Sequence, residues 1–345
     1  MVDAPFRVLR SVHPNYCNEP GFFMSLPIQI PLPIPYAVGP VNSYLFIEPE
    51  PTLIDCGVSS DDSWQALTTA LEAHQLTIAD IRRVIITHAH VDHMGMAGKI
   101  AAHSPAQIWA AEMNYDWAVH LPQKWQRRME FMGSVIQYFG LPAEQQQAIL
   151  AGMARTPLLW DVIPAERVVT FPVDGVIEIG GQPWQVIYTP GHSNTQTCFY
   201  QADTRQFLAA DMLLPVTPTP VIEEPLDGSD ERVPGLPQFL DSLALVEALD
   251  IEWVYPGHGD PFTDHRALIQ RQSARIAQRA AECYGLIADG AQTFDALFAA
   301  MYGANSTADR FSALGMLVGY LDLLEVDGLI KGRIRDGVRT FGVTS

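Results

Sequence analysis

The amino-acid sequence predicts a layered α/β protein with a helical insertion and a small helical tail. Three observations carry that prediction. Short apolar runs rich in β-branched residues recur along the chain, with amphipathic stretches between them. Four of those runs stop directly at, or within a short turn of, a histidine or an aspartate. Helical character displaces the strand pattern in two blocks, about residues 112–160 and from 264 onward. The 345 residues suit one large domain with an appendage, drawn at 1–263 and 264–345.

The elements follow in order. FFMSLPIQIPLPIPYAV is strand-like, and prolines at 27, 31, 33 and 35 remove it as a membrane helix. VNSYLFIEPEPTLIDCG reads as two short strands joined at a proline turn. In DDSWQALTTALEAHQL, Trp64, Leu67 and Leu71 fall near helical spacing, with Asp61 or Asp62 as the cap. RRVIIT is a strand that ends at His88, and a helix and the strand AQIWAA follow. Between 112 and 160, Trp117, Trp125, Phe131, Met132, Tyr138 and Phe139 sit among polar residues. Two or three inserted helices are expected there, either as a lid over a pocket or as plain packing.

Strands resume with RVVTF, VIEIGGQPWQVIYT and the hairpin TCFYQADTRQFLAAD. The proline-rich, acidic stretch 215–237 is expected to be a long loop. FLDSLALVEALD is an amphipathic helix and IEWVYP a strand. The tail holds a long helix from 264 to about 289, two further helices, and a hairpin turning at Asp336-Gly337. Helices closed by a short hairpin predict a winged-helix-like unit.

Composition narrows the function classes. Hydrophobic residues make up 48% and charged residues 17%, enough for a large core. Cys17, Cys56, Cys198 and Cys283 show no CxxC spacing, so they read as free buried thiols rather than a disulfide framework. The first residues lack the apolar run of a signal peptide, and a cytoplasmic location is expected. The net charge of −18 argues against a general nucleic-acid binder.

The chemistry concentrates at the ends of four strands. HAHVDH packs three histidines and an aspartate into six residues; TPGHS delivers His192, FLAAD delivers Asp211 and YPGHG delivers His258. If these strands share sheets, their ends converge at one edge, where ligand sites of layered α/β folds lie. Side chains 88 and 90 of an extended segment point the same way, and a turn after 90 swings Asp92 and His93 to an adjacent position. His88, His90, Asp92, His93, His192, Asp211 and His258 are more donors than one tetrahedral ion needs. With a bridging solvent they suit two metals ~3.5–4 Å apart. Nitrogen and oxygen donors favour zinc while admitting iron or manganese. His13, His74, His103, His120 and His265 stand outside these motifs and read as structural or exposed.

The ordered set HAHVDH, TPGHS, the aspartate after an apolar strand, and PGHG closely resembles the metallo-β-lactamase-fold hydrolases over residues ~40–262. The resemblance implies an αββα sandwich, two mixed sheets packed face to face with helices outside. It implies that His88, His90 and His192 hold one metal, that Asp92, His93 and His258 hold a second, and that Asp211 bridges them. Asp55 in LIDCG resembles the family's aspartate near the site, expected to accept a ring N–H from a ligand histidine. The tail more weakly resembles the winged-helix tail of a subgroup that includes thioesterases and an endoribonuclease.

The expected reaction is hydrolysis of an ester, thioester or lactone-type small molecule, with a water shared by two divalent ions as nucleophile and Asp92 orienting it. The alternatives are an endoribonuclease or phosphodiesterase of the same fold, and a mononuclear-iron enzyme resembling persulfide dioxygenases. Lys124, Arg127 and Arg128 would receive an acidic substrate or serve as surface charge. Lys331, Arg333, Arg335 and Arg339 would meet RNA or protect an edge strand. No membrane partner is expected, and a homodimer is compatible with the sequence.

Overall fold

The computed structural model describes residues 26–215, 222–229, 232–303, 310–335 and 337–344, with residues 310 and 311 in backbone only. His13, Cys17 and Asp336 lie outside them. Six strands form the first sheet in sequence order: β1 (Ile28–Leu32), β2 (Val41–Phe46), β3 (Thr52–Ile54), β4 (Arg83–Ile86), β5 (Gln107–Ala111) and β6 (Val168–Phe171). The first three pair antiparallel and the rest parallel. β1 sits at the edge, where Pro31 removes no hydrogen bond the sheet needs. The helices among these strands are α1 (Asp61–Ala73), α2 (Val91–Met94), α3 (Ala97–His103), α4 (Tyr115–Val119), α5 (Leu121–Tyr138) and α6 (Ala143–Met153). The cap of α1 is Ser60, one residue before the aspartates expected from the sequence; its side chain accepts from the Ser63 backbone N–H.

The second sheet has the order β11-β10-β9-β8-β7, from β7 (Val176–Ile179), β8 (Gln182–Tyr188), β9 (Thr197–Gln201), β10 (Gln206–Ala210) and β11 (Trp253–Pro256). Both pairings of β9 are antiparallel and β10 pairs parallel with β11. Strands β8, β10 and β11 therefore run the same way, and their carboxyl ends share one edge. Helix α7 (Gly235–Glu247) begins earlier than the apolar pattern suggested, inside the stretch expected to be loop. Pro237 falls in its first turn, where the missing N–H costs nothing.

Alternation along the strands explains the layers. Ile85 points between the sheets with Phe199, Leu208 and Trp184. Val84 and Ile86 point outward to Leu67, Leu71 and Ile100 of α1 and α3. Cys198, Phe207 and Ala209 point outward from the second sheet into the helices that follow. The protein is thus an αββα sandwich, and each fully buried Leu, Ile or Phe in it contributes about 1.5–3 kcal/mol.

The tail comprises α8 (His265–Ala288), α9 (Phe294–Tyr302), α10 (Arg310–Val326) and the antiparallel pair β12 (Ile330–Arg335) and β13 (Val338–Val343). It shares one apolar cluster with α5, α6 and α7. Phe139, after α5, packs on Phe294 at 5.0 Å and stacks on Phe341 at 6.3 Å. Lys331, Arg333 and Arg335 are exposed on β12. Arg339 instead pairs with Glu325, donates to the Tyr138 hydroxyl at 2.8 Å and lies over Phe341. Among the described residues no helix is long and apolar enough to cross a membrane.

Candidate metal centre

All seven candidate ligands meet at one end of the sandwich. His88 follows β4 through Thr87, and His90 caps α2, whose first turn carries Asp92 and His93. His192 lies beyond β8, Asp211 directly follows β10, and His258 lies two residues beyond β11. The sheets are stitched together beside these residues. Thr197 donates to the Thr87 carbonyl from its hydroxyl at 3.0 Å, and Asn42 on β2 donates to the Pro256 carbonyl at 2.9 Å. Gly257 makes the approach of β11 possible, because a Cβ there would strike the Asp211 carboxylate. Gly191, at φ +130°, lies against the Phe239 backbone with no room for a side chain.

Two donor trios result, His88 with His90 and His192, and Asp92 with His93 and His258, and a third group of His88, His93 and Asp211 overlaps both. In the first, His90 Nδ1 lies 3.0 Å from both His88 Nε2 and His192 Nε2. In the second, His258 Nε2 lies 3.5 Å from Asp92 Oδ2. Asp211 stands between them, with Oδ1 3.3 Å from His93 Nε2 and Oδ2 3.4 Å from His192 Nε2 and 3.6 Å from His258 Nε2. His93 Nε2 and Asp211 Oδ1 are buried, and beyond facing each other as an ion pair neither has a hydrogen-bond partner. Inward-facing imidazole nitrogens and unsatisfied buried carboxylate oxygens are a donor set that fits divalent cations.

Electrostatics separate the trios. Burial, then like charge from neighbouring histidines, holds His88 well below the usual imidazole range. Burial also lowers His192, to about 4, although Asp211 opposes it. These rings are held neutral, the form in which an imidazole nitrogen can donate its lone pair to a cation. Burial would lower His93 too, but Asp211, Asp55 and Asp92 outweigh it and raise its pKa well above the usual value. Burial opposes ionisation of Asp92, yet His93 and His258 bring it to about 2. The second trio therefore favours net positive charge at its centre.

The backs of the rings are fixed as well. His93 Nδ1 lies 2.7 Å from Asp55 Oδ2, and Asp55 also accepts from the Thr87 N–H at 2.9 Å and the Thr87 hydroxyl at 2.8 Å. Asp55 holds a left-handed backbone at φ 57°, a strained conformation of the kind that collects at functional sites. His258 Nδ1 donates to the Pro40 carbonyl at 2.9 Å, leaving Nε2 for the centre.

Above the trios lies a cavity of about 550 Å³, lined by His90, Asp92, His192, Asp211 and His258 on one side. Its other walls are chiefly apolar: Trp117, Trp125, Leu141, Ile149, Met153 and Trp160 from the insertion, Phe298 and Leu314 from the tail. Trp117 and Trp160 stack at 5.7 Å, with Trp125 edge-on to both.

The expectation for the insertion's cations needs correction. Arg128 is buried, neither surface charge nor free for an acidic ligand, because Nη1 contacts Glu223 Oε1 at 3.1 Å and Glu224 Oε2 at 3.0 Å. Lys124 lies 3.7 Å from Glu224. Glu223 and Glu224 escape sequence reasoning altogether. Glu223 Oε1 lies 3.1 Å from His90 Nε2, and Oε2 accepts from Ser193 Oγ at 3.0 Å and the Asn194 N–H at 2.5 Å. The only hint is two adjacent acids directly after an apolar Val-Ile pair, in a segment that otherwise reads as loop. His74, His103 and His120 are exposed, and His265 is buried away from the cluster in α8.

A two-sheet sandwich that gathers histidines and aspartates at its strand ends defines a metallo-hydrolase. The chain belongs to the metallo-beta-lactamase superfamily, whose family model matches residues 36–258. It is 27% identical over 305 residues to "Probable metallo-hydrolase YqjP" of Bacillus subtilis, covering 88% of this chain and 93% of that one. It is 23% identical over 279 residues to "Atrochrysone carboxyl ACP thioesterase" of Aspergillus fumigatus, covering 76% and 69%. The fold matches a beta-lactamase domain protein from Burkholderia ambifaria with a TM-score of 0.76 at 22% identity, over 92% of both chains. It also matches the metallo-beta-lactamase family protein TTHA1429 from Thermus thermophilus with a TM-score of 0.74 at 21% identity, covering 92% of this chain and 98% of that one.

Proposed function

We propose that this protein is a binuclear metal-dependent hydrolase of small esters, thioesters or lactones with an apolar acyl portion, and that zinc is its metal. One observation carries the reading: the two donor trios open directly onto a largely apolar cavity of about 550 Å³. Bound ions would supply a water activated at neutral pH and an electrophile for the acyl carbonyl. His88, His90 and His192 would hold one ion, Asp92, His93 and His258 the other, and Asp211 both. Asp92, at the cavity edge, would orient the attacking water and carry its proton. The tryptophan-lined wall would take the acyl group, excluding water from around the carbonyl.

Apolar walls favour this reading over phosphodiester cleavage, since Arg128, the cation lining the cavity, is neutralised by two glutamates. Similarity to a protein named as an acyl-carrier thioesterase points the same way. The buried free thiols Cys56, Cys198 and Cys283 suit a reducing, cytoplasmic setting. The test is metal analysis together with hydrolysis of p-nitrophenyl esters and acyl thioesters from acetyl to octanoyl, beside bis-p-nitrophenyl phosphate and RNA. The expected result is two zinc ions per chain and a kcat/KM that rises with acyl length. Cleavage of the phosphodiesters alone, or one iron per chain with oxygen consumption on a persulfide, would overturn it.

A further inference from the structure

We infer that Glu223 is a positioning residue for the first donor trio, and that Arg128 on α5 holds it in place, so that the roof of the cavity fixes a ligand in its floor. The inference rests on the metal-binding reading above. His90 uses Nδ1 toward the centre, since that atom lies 3.0 Å from both His88 Nε2 and His192 Nε2. Its other nitrogen, Nε2, lies 3.1 Å from Glu223 Oε1. A proton on Nε2 donated to Glu223 selects the tautomer whose lone pair sits on Nδ1, facing the ion.

This repeats the arrangement of the second trio, where Asp55 accepts the N–H of His93 Nδ1 and leaves Nε2 inward. Each trio thus has one carboxylate-oriented histidine. The supports differ in origin. Asp55 follows a core strand, while Glu223 reaches in from the loop between β10 and α7.

Glu223 is itself over-determined. Oε2 accepts from Ser193 Oγ and the Asn194 N–H, both beside His192, and Oε1 is shared with Arg128 Nη1. Asn194 Nδ2 also donates to the Glu224 carbonyl at 2.6 Å. The Glu223 side chain is 7% exposed and that of Arg128 8%. A buried carboxylate needs such partners, and a loop residue needs them to stay in register with a metal ligand. Four partners from three chain segments converge on one carboxylate, which loop packing alone does not require.

The test is zinc occupancy of the purified holoprotein under competition with a chelator of known affinity, for wild type, Glu223→Gln, Glu223→Ala and Asp55→Asn. Binding is read without substrate, and thermal unfolding verifies that each variant is folded. Glu223→Ala should weaken one of the two zinc ions by about 10–100-fold and leave the other near the wild-type value. Glu223→Gln, whose amide oxygen still accepts the ring N–H, should recover part of that loss. Asp55→Asn, likewise an exchange of carboxylate for amide, should weaken the other ion by less than Glu223→Ala weakens the first. With cobalt in place of zinc, Glu223→Ala and Asp55→Asn should alter different bands of the visible spectrum. Two zinc ions held by Glu223→Ala as tightly as by wild type would overturn the inference while leaving the binuclear reading intact. A wild-type protein that holds fewer than two ions would overturn both.

Discussion

The floor and the roof of the cavity are built on different terms. The floor is made of strand ends whose directions are fixed by hydrogen-bond ladders across two sheets; five ligands follow their strands by one to four residues, and Asp92 and His93 sit in the short helix α2 just beyond β4. The roof is made of residues of helices α4–α6, of Trp160 beyond them, and of residues of α9 and α10, and their side chains reach the cavity from well-separated positions. Floor residues are polar groups that a fold would not crowd together without a cation. Roof residues are apolar groups that would be unremarkable in any helix. On the proposed function the difference separates two properties of the enzyme: the floor would set the reaction class, and the roof which molecules reach it.

The largest expected effect lies in the floor. Among the described residues Asp211 is the one carboxylate within 3.6 Å of histidines of both trios. Asp211→Ala should abolish hydrolysis. The loss should exceed the ~10–100-fold that removing an outer hydrogen-bond partner costs, and metal content should fall with it. Hydrolysis retained within tenfold of wild type would mean that the floor does not set the chemistry. A change in the roof should behave in the opposite way. Trp117 is 4% exposed and stacks on Trp160, so Trp117→Ala should cost about 3–5 kcal/mol of stability, read from urea unfolding. Its zinc content should stay at the wild-type value, while KM for octanoyl substrates rises more than KM for acetyl ones. Loss of zinc from that variant would erase the distinction between the two regions.

The same division explains what the sequence reveals. His88, His90, Asp92 and His93 are legible because they share one short segment after a strand. His192, Asp211 and His258 are legible because each repeats that local grammar. Asp55 follows β3 in the same manner. The layered α/β class follows from the strand pattern, and the sandwich from the resemblance that the ordered metal motifs carry. Glu223 is different. Nothing local distinguishes it from Glu224 or from the other acids of a proline-rich stretch, and its role exists only once β10, α5 and the turn after β8 have come together. Arg128 reads as an ordinary helical cation beside Arg127 for the same reason; burial, a tertiary property, separates them. The tryptophans at 117, 125 and 160 signal apolar packing in sequence, and only their common cavity shows that one surface of that packing faces the metal donors.

The smallest expected effect compares a thiol under the floor with one in the tail. Cys198 lies on β9 and Cys283 within α8, both at 0% exposure, and burial pushes each thiol up to about 12. In the unfolded chain a thiol ionises near about 8.5. Folding thus favours the neutral thiol, and this contribution is fully present below about 8.5 and is lost as pH rises toward the folded value. Urea midpoints measured from pH 7 to pH 10 should fall less steeply for Cys198→Ala/Cys283→Ala than for wild type. Neither thiol should react with iodoacetamide at pH 8 faster than global unfolding allows, because the reactive thiolate is suppressed and the sulfur is shielded. If Cys283 labels while Cys198 stays silent, the tail opens without the sheets, and the apolar cluster that joins the tail to α5 and α6 is a separate unit of stability. If the two label together, floor and roof unfold as one, and their difference is confined to chemistry.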